Sequence, residues 1–347
     1  MKAYINAIGA ITPQHTFDGS FFEQGFDEYS QPQLHCIEPD YKEFINPTKL
    51  RRMPRILKMG LGAATICTSQ STQPDAIIVG TGLGCLADLE KFQASVKNDG
   101  EQLLSPTPFV NSSHNMISSQ IAIALGCHGY NMTHFHASLS FENALLDAMM
   151  LLETGDAENV LVGGIDEITE QHFQIAGNNG HWRKNNFSNS HLFEGQYPGT
   201  LMGEGAIFFM LGAKPASANS IKITGTHTLT CNKIDSGEAL SRCLRMLNLA
   251  LADIDTLILG RNGDSENDHL YNSLVNKPQT NTIYYKHLCG EYPTAPAFAL
   301  WLGANILQRQ TVPAFTIKHS NNNVINRIAI CNSNTTEHGA MVIERMK

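Results

Sequence analysis

Four short apolar runs punctuate the chain: Ala76-Ile77-Ile78-Val79-Gly80, Val160-Leu161-Val162-Gly163-Gly164, Ala206-Ile207-Phe208-Phe209-Met210 and Thr256-Leu257-Ile258-Leu259-Gly260. They are rich in β-branched residues and do not alternate with polar ones, so they predict strands buried on both faces. Between and after them, apolar residues recur at helical spacing over 116–125, 141–153, 237–251 and 295–308. Such alternation predicts an α/β layered fold. The stretch Asp75 to Gly82 is echoed by Asp255 to Gly263, each an acidic residue, an apolar strand and a glycine-bearing loop, which points to a duplicated architecture. Asn-, Ser- and Gly-rich stretches at 178–200 and 320–325 predict surface loops.

Composition narrows the function classes. The chain has 347 residues, 42% apolar and 16% charged, with a net charge of −8. Its 24 Lys and Arg are scattered, so no basic stripe exists for a phosphate backbone and nucleic acid is excluded as a partner. Eight cysteines, none in a C-x-x-C pair, read as reduced core thiols. The N-terminal residues lack the apolar run of a signal peptide, and no segment reaches the ~18 to 20 apolar residues that span a bilayer, so a cytoplasmic protein is expected. His114, His128, His134 and His136 lack an accompanying Cys or carboxylate cluster and predict core or interface positions rather than a metal site.

Residues 75–206 carry an ordered series: Ile78-Val79-Gly80-Thr81-Gly82-Leu83-Gly84, Leu104-Ser105-Pro106-Thr107-Pro108-Phe109-Val110-Asn111, Gln120 to Gly126, His136-Ala137-Ser138-Leu139-Ser140, Gly155 to Gly164, and Met202-Gly203-Glu204-Gly205-Ala206. Thr81-Gly82-Leu83-Gly84 lacks the third glycine of a dinucleotide fingerprint. In order and spacing the series resembles the β-ketoacyl synthases of fatty-acid and polyketide assembly. Lys286 to Ala295 resembles that family's Lys-x-x-x-Gly-His loop, and Cys331-Asn332-Ser333-Asn334 its C-terminal glycine-rich segment. The resemblance implies a thiolase-like fold, two pseudo-duplicated halves (1–211 and 212–347) in a layered α-β-α-β-α arrangement. It also implies an acyl-phosphopantetheine substrate delivered by acyl carrier protein or coenzyme A, with no resident cofactor.

The family's nucleophile is a cysteine at a strand-to-helix turn, and the resemblance places Ser138 there. A thiol of pKa ~8.5 is a few per cent thiolate at neutral pH, whereas a serine hydroxyl needs an adjacent base. The first of the family's two catalytic histidines falls on Glu291. An ionised carboxylate ~4 Å from a developing enolate repels it by about 4 kcal/mol at an effective dielectric of ~20, roughly a thousandfold in rate. The second histidine falls on His319. Lys286 matches the loop lysine, Phe141 opens the helix after the nucleophile turn, and Asn334, Thr335 and Thr336 with Glu337 replace the family's Phe-Gly gate, giving the acyl entrance polar walls; the resemblance implies that Lys286, Phe141, Asn334, Thr335 and Thr336 bind the acyl substrate.

Plainer structural roles stand beside these. Ser138 is a suitable helix N-cap, Glu291 an exposed or Lys-paired carboxylate, and Lys286 a solvated lysine. The resemblance implies a ketosynthase-like subunit without condensing activity, similar to chain-length factors, shaping the acyl tunnel beside an active ketosynthase, as in aryl-polyene pigment pathways. Two alternatives are an acyltransferase or thioester hydrolase using Ser138 with His319 as base, and a homodimer that binds acyl chains or carrier protein without turnover. Expected partners are acyl carrier protein and a second subunit, either identical or an active ketosynthase.

Overall fold

In the computed structural model, residues 2–346 are described except 101, 103, 185–187, 233, 276–279 and 320–323. The expected loop at 320–325 therefore lies largely outside the described residues. The strands are β1 (Ala3–Ile11), β2 (Gln33–Leu34), β3 (Ala76–Gly80), β4 (Asn131–His134), β5 (Asn159–Asp166), β6 (Met202–Gly203), β7 (Gly205–Gly212), β8 (Ile221–Thr230), β9 (Thr256–Leu259), β10 (Asn281–Tyr284), β11 (Ile317–His319), β12 (Arg327–Ser333) and β13 (Glu337–Arg345). The main helices are α1 (Arg55–Thr68), α2 (Met116–Leu125), α3 (Ser140–Thr154), α4 (Ser236–Met246) and α5 (Pro296–Arg309).

Among the described residues, eleven strands are hydrogen-bonded in the order β11-β10-β9-β12-β13-β8-β1-β7-β5-β3-β4. The order repeats. In the first half β3 pairs parallel with β4 and β5, β5 pairs antiparallel with β7, and β7 with β1. In the second, β9 pairs parallel with β10 and β12, β12 antiparallel with β13, and β13 with β8. The halves join through the antiparallel contact of β1 with β8, and β11 is added at the outer edge of β10.

The buried side chains of these strands point alternately into different cores, which places the layers. From β3, Ala76 and Ile78 join the central core with Phe141, Leu145 and Met149 of α3 and Phe298, Leu302 and Ile306 of α5, while Ile77 and Val79 face Met59 and Ala63 of α1 and Ile117 and Ile121 of α2. From β9, Ile258 faces the central core, whereas Leu257 and Leu259 face Leu240 and Leu244 of α4. Helices thus lie outside each half-sheet and between the two, giving the expected α-β-α-β-α layering. This is why the predicted strands read as unbroken apolar runs: both faces are covered.

Two expectations need correction. The helix expected over 237–251 stops at Met246, because Asn248 adopts a left-handed conformation (φ +55°) that turns the chain. The stretch 178–200 is not simply a surface loop, since Asn189 and Leu192 are fully buried and Asn189 Nδ2 donates to the backbone oxygen of His287 at 2.7 Å.

Candidate functional site

Parallel strands release their chains at the same edge, so the segments following β3, β4, β5, β9, β10 and β12 converge there. The β3 loop places Leu83, the β4 segment Ser138, the β9 loop Asn262, the β10 segment Lys286 and Glu291, and the end of β12 Asn332 to Thr335. These residues line one cavity of about 470 Å³, partly open to solvent. Residues more than 120 positions apart are thereby made neighbours.

The turn carrying Ser138 is tightly set. Ala137, without being glycine, sits at φ +41°, Ser140 Oγ accepts from the His136 N–H at 2.8 Å, and α3 starts immediately after. The Ser138 hydroxyl donates to Glu337 Oε2 and accepts from Asn334 Nδ2 at 3.0 Å. The N–H groups of Thr336 and Glu337 donate to Asn334 Oδ1 at 2.9 and 2.7 Å, which holds the turn between β12 and β13 against Ser138. His136 Nδ1 lies 3.6 Å from the other oxygen of Glu337. The N-cap role considered for Ser138 is overturned: its oxygen serves this turn and not the first N–H groups of α3.

Across the cavity, Glu291 accepts from Lys286 Nζ through both oxygens, at 2.8 and 2.6 Å, and from Asn262 Nδ2 at 2.8 Å. Lys286 is only 2% exposed, which overturns a solvated role for it and leaves the Lys-paired reading of Glu291 standing. The preceding Gly290 (φ +75°) packs its Cα against Gly203 so closely that a side chain on it would collide with backbone 2.5 Å away. Glycine there lets Glu291 bridge to Met202 of β6 and turn back toward Lys286.

Two fully buried carboxylates frame the site. Asp166, at the end of β5, accepts from Thr81 Oγ1, Gly82 N and Leu83 N with one oxygen and from Thr294 N and Oγ1 with the other, at 2.8–3.0 Å. It joins the β3 loop of one half to the start of α5 in the other, and burial keeps its pKa above the ordinary carboxylate value despite those donors. Gly82 fits only because it has no side chain; a Cβ there would lie 2.2 Å from Pro293. Glu142, on the first turn of α3, has no hydrogen-bond partner among the other described residues, and burial raises its pKa to about 8 against the smaller pulls of its own N–H and the Lys286 ammonium.

The remaining expected residues scatter. Thr335 lines the cavity, Thr336 braces Asn334, and Phe141 is fully buried in the central core against Phe209 (ring centroids 5.8 Å) rather than in the cavity wall. The backbone of His319 pairs with Thr282 at the outer edge of the sheet; its side chain lies outside the description. His134 Nε2 meets Asp147 Oδ2 at 2.9 Å, and His114 stacks on Phe135 at 3.8 Å. Asn262, Glu142 and Asp166 were not singled out from sequence, and Glu337 was named only as part of the segment replacing the Phe-Gly gate, not as a partner of Ser138. Asp166 ends an apolar strand and could have been flagged by that position; nothing local to Glu337 marks its contact with Ser138, 199 positions earlier.

Comparison with known proteins adds the last observation. The model of the β-ketoacyl synthase N-terminal domain matches residues 37–216. A curated relative, 3-oxoacyl-[acyl-carrier-protein] synthase 2 of Synechocystis sp., is 27% identical over 248 residues, which are 65% of this chain and 56% of that protein. The chain thus spans little more than half the length of that relative. Among solved structures, the ishigamide ketosynthase/chain length factor superposes with a TM-score of 0.82 at 14% identity, covering 100% of this chain and 99% of that one. A β-ketoacyl synthase from Burkholderia phymatum gives 0.79 at 12% identity over 100% of both chains. A ketosynthase (ApeO) in complex with its chain length factor (ApeC) from Xenorhabdus doucetiae gives 0.73 at 16%, covering 99% and 98%. The last three share the fold; with more than half of the sequence inside the family's N-terminal domain and its repeated halves built around one shared cavity, the chain belongs to the β-ketoacyl synthase family.

Proposed function

We propose that the protein is a ketosynthase-like subunit without condensing activity that pairs with an active β-ketoacyl synthase and shapes the path of the growing acyl chain. The observation that carries this reading is the state of Ser138. At the turn where the family condenses through a thiolate, this chain presents a hydroxyl already engaged by Glu337 and Asn334. Opposite it, Glu291 is tied to Lys286, so the cavity offers a carboxylate where decarboxylation needs donors to a developing oxyanion.

Pairing is supported at the other end of the first half. Among the described residues β4 is the edge strand, and Met132 on it, Tyr130 and Phe135 beside it and Ile123 (67% exposed) on the adjoining helix α2 expose apolar side chains along that edge. The ketosynthase in complex with its chain length factor supplies a precedent of architecture. The test is co-purification with a β-ketoacyl synthase of the same organism, and product analysis with and without this chain. A stable complex and a changed product length are expected; no binding together with unchanged products would remove the reading.

The Ser138–Glu337 hydrogen bond favours a second reading, acyl transfer. Ser138 Oγ would attack a thioester carbonyl, forming the ester C–O bond as the C–S bond breaks, with the hydroxyl proton passing through Glu337 to the departing thiolate. Intact-mass measurement after incubation with acyl thioesters decides it: an adduct lost in Ser138→Ala supports the step, and absence of both adduct and thioester hydrolysis eliminates it.

A further inference from the structure

The cavity has walls from both halves and a one-sided charge inventory. Glu291, Asp264 and Glu266 line it, and among its described lining residues the basic groups are Lys286, the sole Lys or Arg, and the imidazoles of His172 and His181. That ammonium is already paired, because both oxygens of Glu291 hold it at 2.8 and 2.6 Å. Asn262 donates a further hydrogen bond to Glu291 at 2.8 Å, so the carboxylate is fixed in orientation by donors on either side. Behind this layer stand two more carboxyl groups, Glu337 against Ser138 and the fully buried Glu142.

A ligand carboxylate entering here would have to compete with Glu291 for the one ammonium of the lining, beside the further carboxylates of Asp264 and Glu266. An uncharged acyl group would meet Leu83, Met202, Tyr292 and Pro293, which give the cavity apolar wall. In a partly desolvated pocket, like charges a few ångströms apart are costly, while a neutral group of the same size bears no such cost. We infer that Glu291 is a specificity-determining residue that admits neutral acyl thioesters to this cavity and excludes acyl groups bearing a free carboxylate, the class that includes malonyl-type extender units. The inference rests on the acyl-binding reading above and adds which acyl groups the site takes.

The test compares two ligands of nearly equal size, malonyl-pantetheine and its neutral amide carbamoylacetyl-pantetheine, titrated calorimetrically into the full chain at about pH 8, where unperturbed histidines are neutral. The amide should bind at least about tenfold tighter. Glu291→Gln keeps the side chain's shape and leaves Lys286 as an unpaired cation, so the preference should fall to within about threefold or reverse. Equal or tighter binding of malonyl-pantetheine to the unaltered chain, an unchanged ratio in the variant, or binding of neither ligand overturns the inference. The ligand pair needs no variant to fold. A chain that changes a partner's product length without discriminating the ligands fails here alone; one that discriminates but pairs with nothing fails only the partner reading.

Discussion

Asp75 and Asp255 perform the same task in the two halves. Oδ2 of Asp75 accepts from the consecutive N–H groups of Glu158 and Asn159 at 3.0 and 2.9 Å, and Oδ2 of Asp255 from those of Asn326 and Arg327 at 2.8 and 2.9 Å. Each carboxylate fixes the start of a parallel strand pair, β3 on β5 and β9 on β12. Asp75→Ala and Asp255→Ala should therefore each cost about 1–2 kcal/mol, since charge-assisted bonds are lost from partly solvated sites. The double variant should show the sum within ~0.5 kcal/mol, because the two sites share no partner. Thermal melts of the three variants check this, and a strongly non-additive double would contradict the independence of the two strand starts.

Glu204 should make the fold acid-sensitive. It is fully buried and accepts from Arg55 at 2.7 and 2.6 Å and from the N–H groups of Cys36 and Ile168 at 2.8 Å. Burial alone would raise its pKa, but the donors, Arg55 first, bring it down to about 2. A carboxylate depressed in the folded state contributes stability that is present above its unfolded pKa and lost as pH falls through the folded value. Stability should thus decline by about 3 kcal/mol from this group between pH 4.5 and 2. Glu204→Gln should be less stable at pH 7 and show a flatter decline in acid, measured by thermal melting across that range.

Glu142 should act in the opposite direction. Its folded pKa of about 8 lies above the ordinary 4.5, so its contribution is intact below pH 4.5 and is lost as pH rises to 8. The loss reaches about 3 kcal/mol by pH 7. Glu142→Leu, which removes the buried ionisable group, should match the parent near pH 4.5 and exceed it in melting temperature at pH 8. A variant less stable at both values would show that the carboxyl packs better than its missing partners imply.

Restoring sulfur alone should not restore condensation. Ser138→Cys would set a thiol beside Glu337, whose negative charge disfavours the thiolate. Alkylation of that thiol by iodoacetamide at about pH 7.5 should be several-fold slower than in the Ser138→Cys/Glu337→Gln pair, and neither variant should condense malonyl and acyl thioesters while Glu291 remains. Condensation by Ser138→Cys alone would contradict the role given to Glu291.

Much of the scaffold was legible along the chain. Strand β3 and helix α2 fall where the apolar runs and helical spacing put them, and the echo of Asp75 in Asp255 marked the repeat that the sheet order displays. These features are local: a strand covered on both faces must be apolar throughout, and a helix between layers must repeat its apolar stripe. The placement of Ser138 at a strand-to-helix turn came instead from the ordered motifs that carry the family resemblance.

What Ser138 touches was not. Asn334 and Glu337 lie 196 and 199 positions further on, Asn262 reaches Glu291 from the end of the neighbouring strand 29 positions earlier, and Asp166 meets Thr294 over 128 positions. Spacing along a chain carries no information about which strand ends share an edge, because that is decided by sheet order and by the packing of α3 and α5 between the halves. The sequence determined that two similar layered units would form and supplied a hydroxyl, an ammonium and several carboxyl groups to their loops. Only the tertiary structure decided that Lys286 would be spent on Glu291, that Glu142 would be buried with no hydrogen-bond partner among the other described residues, and that Ser138 would face a carboxylate: pairing among buried charges depends on distance and burial, which exist only once the layers have closed.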